Sequence, residues 1–202
     1  GITLQGTTNV KIQNAKVIEC WGDGIYIGAV PMQGTRFSGN TWINNVICDD
    51  NRRNGLTVSS VKGLYVQNSQ FNNSTGADPQ AGIDFEPDND TMFLEGLFFD
   101  NIILKSNGKR GVFFCLWLLF GDKDESPIKN VSITMNNVIT EGGLYGFETL
   151  MSNFTGNPGG KYFNRVAIKN LKGEIILNNC QTKNNLKNGI RLYRWYDAGL
   201  KI

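Results

Sequence analysis

Short runs of alternating apolar and polar residues fill this chain, and each run is broken by glycine or asparagine. Alternation with a period of two predicts β-strands, in which successive side chains point to opposite faces. Glycine and asparagine favour tight turns because they tolerate positive φ. No stretch keeps a 3.6-residue apolar period over three turns, so the pattern predicts an all-β chain of many short strands.

A four-residue phrase recurs along the chain in the order glycine, apolar, variable, apolar. Steps of 23, 31, 27, 29, 35 and 43 residues separate copies that begin at Gly1, Gly24, Gly55, Gly82, Gly111, Gly146 and Gly189. A second alternating phrase lies between them, at residues 9–14, 63–68, 130–136 and 165–170, and another short apolar pair follows each copy. Three short strands per repeat predict a parallel β-helix, in which each rung buries its apolar face on the next. An antiparallel sandwich is the alternative, but it gives no reason for one phrase to recur.

Length and charge limit the classes of partner. The 202 residues suit one domain, taken as 1–202, and we expect a fragment of a longer chain because both ends fall inside strand-like patterns. The net charge of +2 comes with scattered basic residues, so we expect no nucleic-acid partner. No apolar run reaches the length of a membrane span, so we expect no membrane partner.

Histidine is absent, which excludes Ser-His-Asp and Cys-His catalysis and the usual zinc sites. The four cysteines are widely spaced and form no CxxC motif. Cys20 and Cys48 occupy matching places in successive repeats, where stacked interior thiols are favoured and a disulfide is the alternative.

Alignment of the recurring glycines places acidic and aromatic side chains on one outer face. Arg52 or Arg53, in the turn before Gly55, projects toward the same face, to hold an acidic sugar or to tune Asp84. A salt bridge to Asp49, Asp50 or Asp84 is the structural alternative for this arginine. Carboxylates and arginine bind hydroxyl or acid groups, and rings stack on sugars, so we predict a saccharide-binding face. Its members are Asp23, Tyr26, Asp84, Glu86 and Glu148.

Asp84 and Glu86 are the first candidates for catalysis. Two residues apart on an extended strand, they lie roughly 6–7 Å apart, which is compatible with the spacing of an inverting glycosidase. The alternative is a solvated acidic strand face, although like charges so close repel each other. Asp23 is either a third carboxylate of the same face or a turn residue stabilised by local hydrogen bonds.

No metal site and no cofactor are predicted. The alternative is calcium, because Asp84, Glu86, Asp88 and Asp90 supply alternating oxygen ligands of the type that Ca²⁺ prefers. Their spacing does not match an EF-hand loop, since no glycine is placed for its turn.

Three phrases carry a resemblance to a known superfamily: residues 21–28 (WGDGIYIG), 51–55 (NRRNG) and 80–87 (QAGIDFEP). The chain resembles the right-handed parallel β-helix superfamily of pectate lyases, polygalacturonase-like hydrolases and phage tailspike depolymerases. The resemblance implies this fold, polysaccharide processing, and an extracellular, secreted or virion-associated location. The histidine motif of the polygalacturonase-like enzymes is missing, so their mechanism does not carry over.

The predicted function is polysaccharide cleavage by carboxylate acid/base chemistry, with Asp84, Glu86 and Asp23 catalytic and with Arg52, Arg53, Tyr26 and Glu148 binding the substrate. A glycoside hydrolase is favoured over a polysaccharide lyase, because arginine is the only base near the acids. A non-catalytic glycan-binding tailspike or adhesin scaffold is the alternative, although insertions at 152–162 and 178–188 are expected to form cleft walls.

The stretch from Gly111 to Phe120 is apolar on both faces, which predicts cover by a loop or by another subunit. The resemblance to tailspike proteins implies a homotrimer.

Overall fold

The computed structural model describes residues 1–119, 129–150, 171–193 and 200–201. These residues form β1 (Ile2–Gln5), β2 (Thr8–Ile18), β3 (Ile25–Gly28), β4 (Ser38–Asp49), β5 (Leu56–Val58), β6 (Val61–Asn72), β7 (Ala81–Phe85), β8 (Leu94–Lys105), β9 (Arg110–Cys115), β10 (Lys129–Glu141), β11 (Tyr145–Leu150), β12 (Leu171–Asn178), β13 (Gln181–Lys183), β14 (Asn188–Tyr193) and β15 (Leu200–Lys201). Two 3₁₀ turns, Pro31–Gln33 and Trp117–Leu119, interrupt them. No helix in the described ranges is long and apolar enough to cross a membrane.

The strands form two parallel sheets, and the chain passes back and forth between them. The short-strand sheet has the order β1-β3-β5-β7-β9-β11-β14, and the long-strand sheet has the order β15-β12-β10-β8-β6-β4-β2, with β13 also pairing with β10. Each strand therefore pairs with the equivalent strand of the next repeat. The predicted all-β class and the parallel stacking of repeats are confirmed at this level.

The long strands combine two of the short strands expected in each repeat. Five of them, β2, β4, β6, β8 and β10, bend at an asparagine with positive φ, and a further such asparagine directly follows β12. The strand register aligns these asparagines in one column. Some neighbours in the column hydrogen bond directly, as in the contacts of Asn45 with Asn14 and of Asn101 with Asn68, both at 2.8 Å. Asn68 and Asn137 instead donate to the residue before the column in the preceding repeat, Asn44 and Asp100. The column consists of Asn14, Asn45, Asn68, Asn101, Asn137 and Asn179. Because asparagine tolerates positive φ, the ladder continues through the bend.

The recurring glycines lie where neighbouring repeats approach most closely. A Cβ on Gly55 would lie 2.7 Å from the carbonyl oxygen of Gly82 and 2.6 Å from the Cβ of Phe71. The same collision with the glycine carbonyl of the next repeat occurs for the other members of the column, at Gly1, Gly24, Gly82, Gly111 and Gly146. The phrase begins with glycine because no side chain fits between the stacked turns.

Replacement of Gly55 by alanine is expected to lower the free energy of unfolding by about 3 kcal/mol, since the new methyl group meets backbone on one side and a core residue on the other. Gly22→Ala is the matched control, because no atom lies within 4 Å of a Cβ there. We expect the control to change stability by less than about 0.5 kcal/mol. Urea unfolding followed by circular dichroism measures both, and equal stability of the two variants would contradict the packing argument.

The core lies between the two sheets and is built from the inward positions of every repeat. Ile25, Leu56, Ile83 and Val112 align on successive short strands and are fully buried. The inward and outward positions predicted from the alternation are therefore confirmed on these strands.

The apolar stretch that begins at Gly111 has buried residues on both faces. Phe113 and Cys115 point outward, yet each is only 5% exposed, and they pack with Ala81, Trp117 and Leu150. The cover expected for this stretch is thus present within the single chain, while Phe120 lies outside the described residues.

The two expected insertions have different outcomes. Residues 152–162 lie outside the described part of the chain, as does the alternating phrase at 165–170. Residues 178–188 contain β13, which pairs with β10 and so belongs partly to the sheet.

Candidate functional site

The outer face of the short-strand sheet carries the residues that the glycine alignment brought together. Strand pairing places Thr57 beside Tyr26 and Asp84, and it places Phe113 between Asp84 and Glu148. The predicted register of this column is confirmed.

Arg53 lies at the centre of a group of three carboxylates. Its Nη1 donates to Asp23 Oδ2 at 3.2 Å, and its Nη2 donates to Glu86 and lies 4.0 Å from Asp84 Oδ2. We call these four residues the Arg53 cluster. Burial disfavours the charged guanidinium, but Glu86 and Asp23 outweigh it and raise the pKa of Arg53. Of the two arginines considered from sequence, the structure brings Arg53 to the acids.

Adjacent turns position this arginine. The Arg53 backbone N–H donates to the carbonyl of Gly22 at 3.0 Å, which stacks the turn before β5 on the turn before β3. Arg53 therefore reaches Asp23 in the preceding repeat and Glu86 in the following repeat. The cluster ties three repeats together, and no single strand contains its parts.

Asp84 is fully buried although it points outward from the sheet. Its Oδ2 accepts a hydrogen bond from Asn54 at 3.1 Å, whereas its Oδ1 has no hydrogen-bond partner among the described residues. Burial and the charges of Glu86 and Asp23 raise the pKa of Asp84 well above 3.8, and Arg53 opposes this shift. Asp84 therefore holds its proton at a higher pH than an exposed aspartate does.

After burial, the charge of Glu86 is the largest cause of the raised pKa of Asp84. Both side chains turn toward the same guanidinium nitrogen, Arg53 Nη2, which lies 4.0 Å from Asp84 Oδ2. The spacing of roughly 6–7 Å expected from an extended strand stays a prediction.

Asn54, in the turn before β5, holds Asp84 in place. Its amide nitrogen also donates to Thr57 Oγ1 at 2.9 Å, and its Oδ1 accepts from the backbone N–H of Ala81 at 3.0 Å. Asn54 is itself fully buried, so all of its hydrogen bonds are made inside the protein. This role of Asn54 is not predicted from the sequence, although its place directly before a recurring glycine was the available signal.

Tyr26 borders the Arg53 cluster on the next short strand. Its ring lies against Gly28, where a Cβ would come within 2.7 Å of the phenol oxygen. Burial raises the pKa of Tyr26, a hydrogen bond with Ser59 lowers it, and Asp88 and Asp23 raise it further. Ser59 also donates to Asp88 at 2.9 Å, so Tyr26 belongs to a polar network at the edge of the cluster.

Glu148 lies on the same face but belongs to a separate group. Arg110 and Arg191 both donate to its carboxylate, Arg191 at 2.9 Å, and Arg191 also donates to Tyr145 at 2.6 Å. Phe113 separates it from Asp84 by two strand spacings, roughly 10 Å. Glu148 is only 3% exposed, so its carboxylate is occupied by arginine. The two arginine partners were not predicted from sequence.

Arg52 makes no ion pair with Asp23, Asp84 or Glu86, and its guanidinium lies over the ring of Trp21. Its guanidinium carbon lies 4.6 Å from the centre of the Trp21 ring, and Trp21 is 83% exposed. The site residues predicted from sequence did not include Trp21, although it opens one of the three recurring phrases. An exposed tryptophan two residues before Asp23 was the available signal.

Three of the acidic side chains that follow Ile83 contact other side chains of the protein. Asp84 and Glu86 contact Arg53, and Asp88 accepts a hydrogen bond from Ser59. In the parts of the chain that the structure describes, no three histidine, cysteine or acidic side chains are grouped to hold a metal ion.

All four cysteines are free. Cys48 is buried in the core and Cys20 is partly exposed, which matches the favoured prediction of unlinked thiols. Burial, followed by the charge of Cys20, raises the pKa of Cys48 to about 12, so this thiol is unreactive.

Comparison with known proteins gave one informative relative. Over 93 residues, the chain is 32% identical to the SPbeta prophage-derived uncharacterized protein YorA of Bacillus subtilis (strain 168). The matched segment covers 43% of this chain and 16% of that protein. No family model matches the chain, and no solved structure matches it. A similar segment thus occurs in a prophage-derived protein, of which this chain spans less than a fifth.

Proposed function

We propose that this chain is a right-handed parallel β-helix segment that cleaves a polysaccharide outside the cell or on a virion. In each repeat the chain passes through both parallel sheets, and this path supports a β-helix with stacked rungs. The prophage-derived relative supports a phage-associated location. Phage particles must pass surface polysaccharides, which is consistent with this activity.

The observation that carries the proposal is the unequal environment of Asp84 and Glu86. Asp84 is buried and has one carboxyl oxygen without a hydrogen-bond partner among the described residues, whereas Glu86 is partly exposed and contacts the guanidinium of Arg53. Pairs of acids whose environments favour opposite protonation states are typical of acid/base catalysis on glycosidic bonds. Such a difference is hard to explain by stability, since a buried carboxyl without full hydrogen bonding is costly.

Glu86 is the member of the pair that reaches solvent, because 31% of its side chain is exposed. In the proposed reaction, the acid pair donates one proton to the glycosidic oxygen while the bond from that oxygen to the sugar carbon breaks. Water supplies the hydroxyl group of the new reducing end and returns a proton to the pair. Arg53 and Asp23 set the charge around Glu86.

A glycan-binding scaffold without catalysis is the second candidate. It is favoured by the complete burial of Asp84 and by the contact of Arg53 with three carboxylates, as in a network that holds repeats together. Under this hypothesis, the exposed groups beside the network bind the glycan and no bond is broken.

The test is a screen of plant, algal and bacterial-capsule polysaccharides, with reducing ends and the absorbance of unsaturated products followed together. We expect cleavage of at least one polymer without unsaturated products, and we expect Glu86→Gln and Asp84→Asn each to lower the rate by about 10²–10⁴-fold. The matched control is Glu141→Gln, which removes a half-exposed carboxylate from the long-strand sheet and is expected to keep full activity.

Thermal unfolding of each variant separates lost catalysis from lost structure. Unsaturated products would show that the protein is a lyase and not a hydrolase. Retention of a glycan without cleavage, equal for the intact protein and Asp84→Asn, would establish the scaffold instead. Full activity of both site variants would refute the catalytic pair.

A further inference from the structure

We infer that Trp21 and Arg52 form a binding subsite for an anionic sugar unit beside the Arg53 cluster. This inference rests on the proposed function in one respect, namely that the ligand is a polysaccharide. It adds the chemical class of the sugar and the place where its charged unit binds.

Trp21 offers an open ring face. The side chain is 83% exposed, and Arg52 lies against one side of the ring, at 4.6 Å from its centre. The turn beside it is also open, since a Cβ on Gly22 would meet no atom within 4 Å. Aromatic rings with a free face bind the apolar face of a sugar by stacking. A single exposed tryptophan is not by itself a site, so the second observation concerns Arg52.

Arg52 is a cation whose place is fixed. Its backbone carbonyl accepts hydrogen bonds from Gly76 at 2.9 Å and from Ala77 at 2.7 Å. Its side-chain stem passes close to Gly76, where a Cβ would lie 2.8 Å from Arg52 Cγ. The stem packs against Gly76 and the guanidinium lies over Trp21, which limits the side-chain entropy that is lost on binding.

The guanidinium of Arg52 makes no ion pair with the residues that the structure describes, in contrast to Arg53, which contacts three acids. Arg52 is exposed, so its N–H groups can reach a ligand while its guanidinium carbon lies over the Trp21 ring. An arginine edge binds a planar carboxylate through two parallel hydrogen bonds. A sugar carboxylate is therefore the group that fits Arg52 while the sugar ring stacks on Trp21.

The charge of the Arg53 cluster fixes the order of the subsites. Three carboxyl groups surround one arginine there, so an anionic sugar over Glu86 would be repelled. Trp21 is two residues from Asp23, which limits their Cα separation to about 7 Å, or one neighbouring sugar unit. The anionic unit thus lies beside the unit that faces Glu86.

The test measures binding to acidic polysaccharides, each paired with its carboxyl-reduced form, by affinity electrophoresis of the intact protein. We expect at least one acidic polymer to bind, and we expect its carboxyl-reduced form to bind at least about tenfold more weakly. Trp21→Ala and Arg52→Gln should each weaken binding to the acidic form by about tenfold, and Arg52→Gln should change binding to the reduced form little. Arg36→Gln, at an exposed arginine away from this turn, is the matched control and should bind like the unmodified protein.

Binding outcomes are independent of cleavage. Binding that needs Trp21, Arg52 and the sugar carboxylate, without any cleavage, supports the subsite and rejects the catalytic function. Cleavage that both variants leave unchanged rejects the subsite and keeps the function. Equal binding of acidic and reduced polymers, or no binding to any acidic polymer, overturns the inference.

Discussion

Arg53→Met is expected to lower the free energy of unfolding by about 3 kcal/mol, near the lower end of the range for breaking a buried ion pair. The methionine keeps much of the apolar stem but leaves Asp23, Asp84 and Glu86 without their cation. Partial access to water limits the loss, since 31% of the Glu86 side chain is exposed. Urea unfolding at neutral pH measures the difference from the unmodified protein.

The loss should depend on pH in a defined direction. Removal of Arg53 removes the cation that lowers the pKa of Asp84, so the folded-state pKa of Asp84 rises further above 3.8. An acid with a raised folded-state pKa keeps its full contribution to stability below its unfolded pKa and loses it as the pH rises through the folded value. The difference between Arg53→Met and the unmodified protein should therefore be smallest near pH 3.8 and grow toward neutral pH.

Arg52→Met is the matched control, because the neighbouring arginine stacks on an exposed ring and makes no ion pair with the described residues. We expect it to cost less than about 1 kcal/mol, the size of an exposed cation–π contact. Addition of Glu86→Gln to Arg53→Met should restore part of the stability, since one uncompensated charge is removed. Equal losses in the two arginine variants, or a loss independent of pH, would contradict the central role of Arg53.

The sequence predicts well which residues lie on the outer face, because local features of the chain decide this. A period of two decides which side chains point outward, and Gly24, Gly55 and Gly82 mark equivalent positions because the next repeat excludes a Cβ there. Alignment of the glycines was thus enough to place Asp84 beside Phe113 without any coordinates.

The interior of the site could not be predicted, because it depends on contacts between repeats. An outward side chain was expected to meet solvent, yet Asp84 is covered by neighbours that include Asn54 and Arg53, from the preceding repeat. Successive arginines in a turn also give no signal for which one turns inward, and packing of the Arg52 stem against Gly76 settles this choice.

The sequence pattern predicts more strands per repeat than the structure has, and here too the reason is a contact between repeats. The pattern around Asn101 has a turn residue between two apolar pairs, which was interpreted as a break between strands. In the structure, Asn101 adopts a φ of 55° within β8, and its side chain bonds to Asn68 in the adjacent repeat. The amide ladder compensates for the bend, and such compensation requires knowledge of the neighbouring repeat.

Phe85→Ala is expected to be as disruptive as the loss of Arg53 or more so, with a decrease of about 3–5 kcal/mol in the free energy of unfolding. Phe85 is fully buried, stacks on Phe114 with ring centres 5.1 Å apart, and contacts the edge of Phe99 at 5.5 Å. Alanine would leave a cavity between the two sheets that stacked, paired strands cannot close. Urea unfolding measures the effect, with Phe37→Ala, at a ring 36% exposed on the surface, as a control expected to cost about 1 kcal/mol.

This core residue also connects the fold to the candidate site. Phe85 is the last residue of β7 and lies between Asp84 and Glu86 in the chain, so its ring anchors the backbone from which both carboxyl groups project. The conservative change Phe85→Leu should keep most of the stability while shifting the strand, and we expect it to reduce polysaccharide cleavage more than it reduces binding at Trp21. A Phe85→Ala variant as stable as Phe37→Ala would show that the core collapses around the cavity, and that the pair does not depend on this anchor.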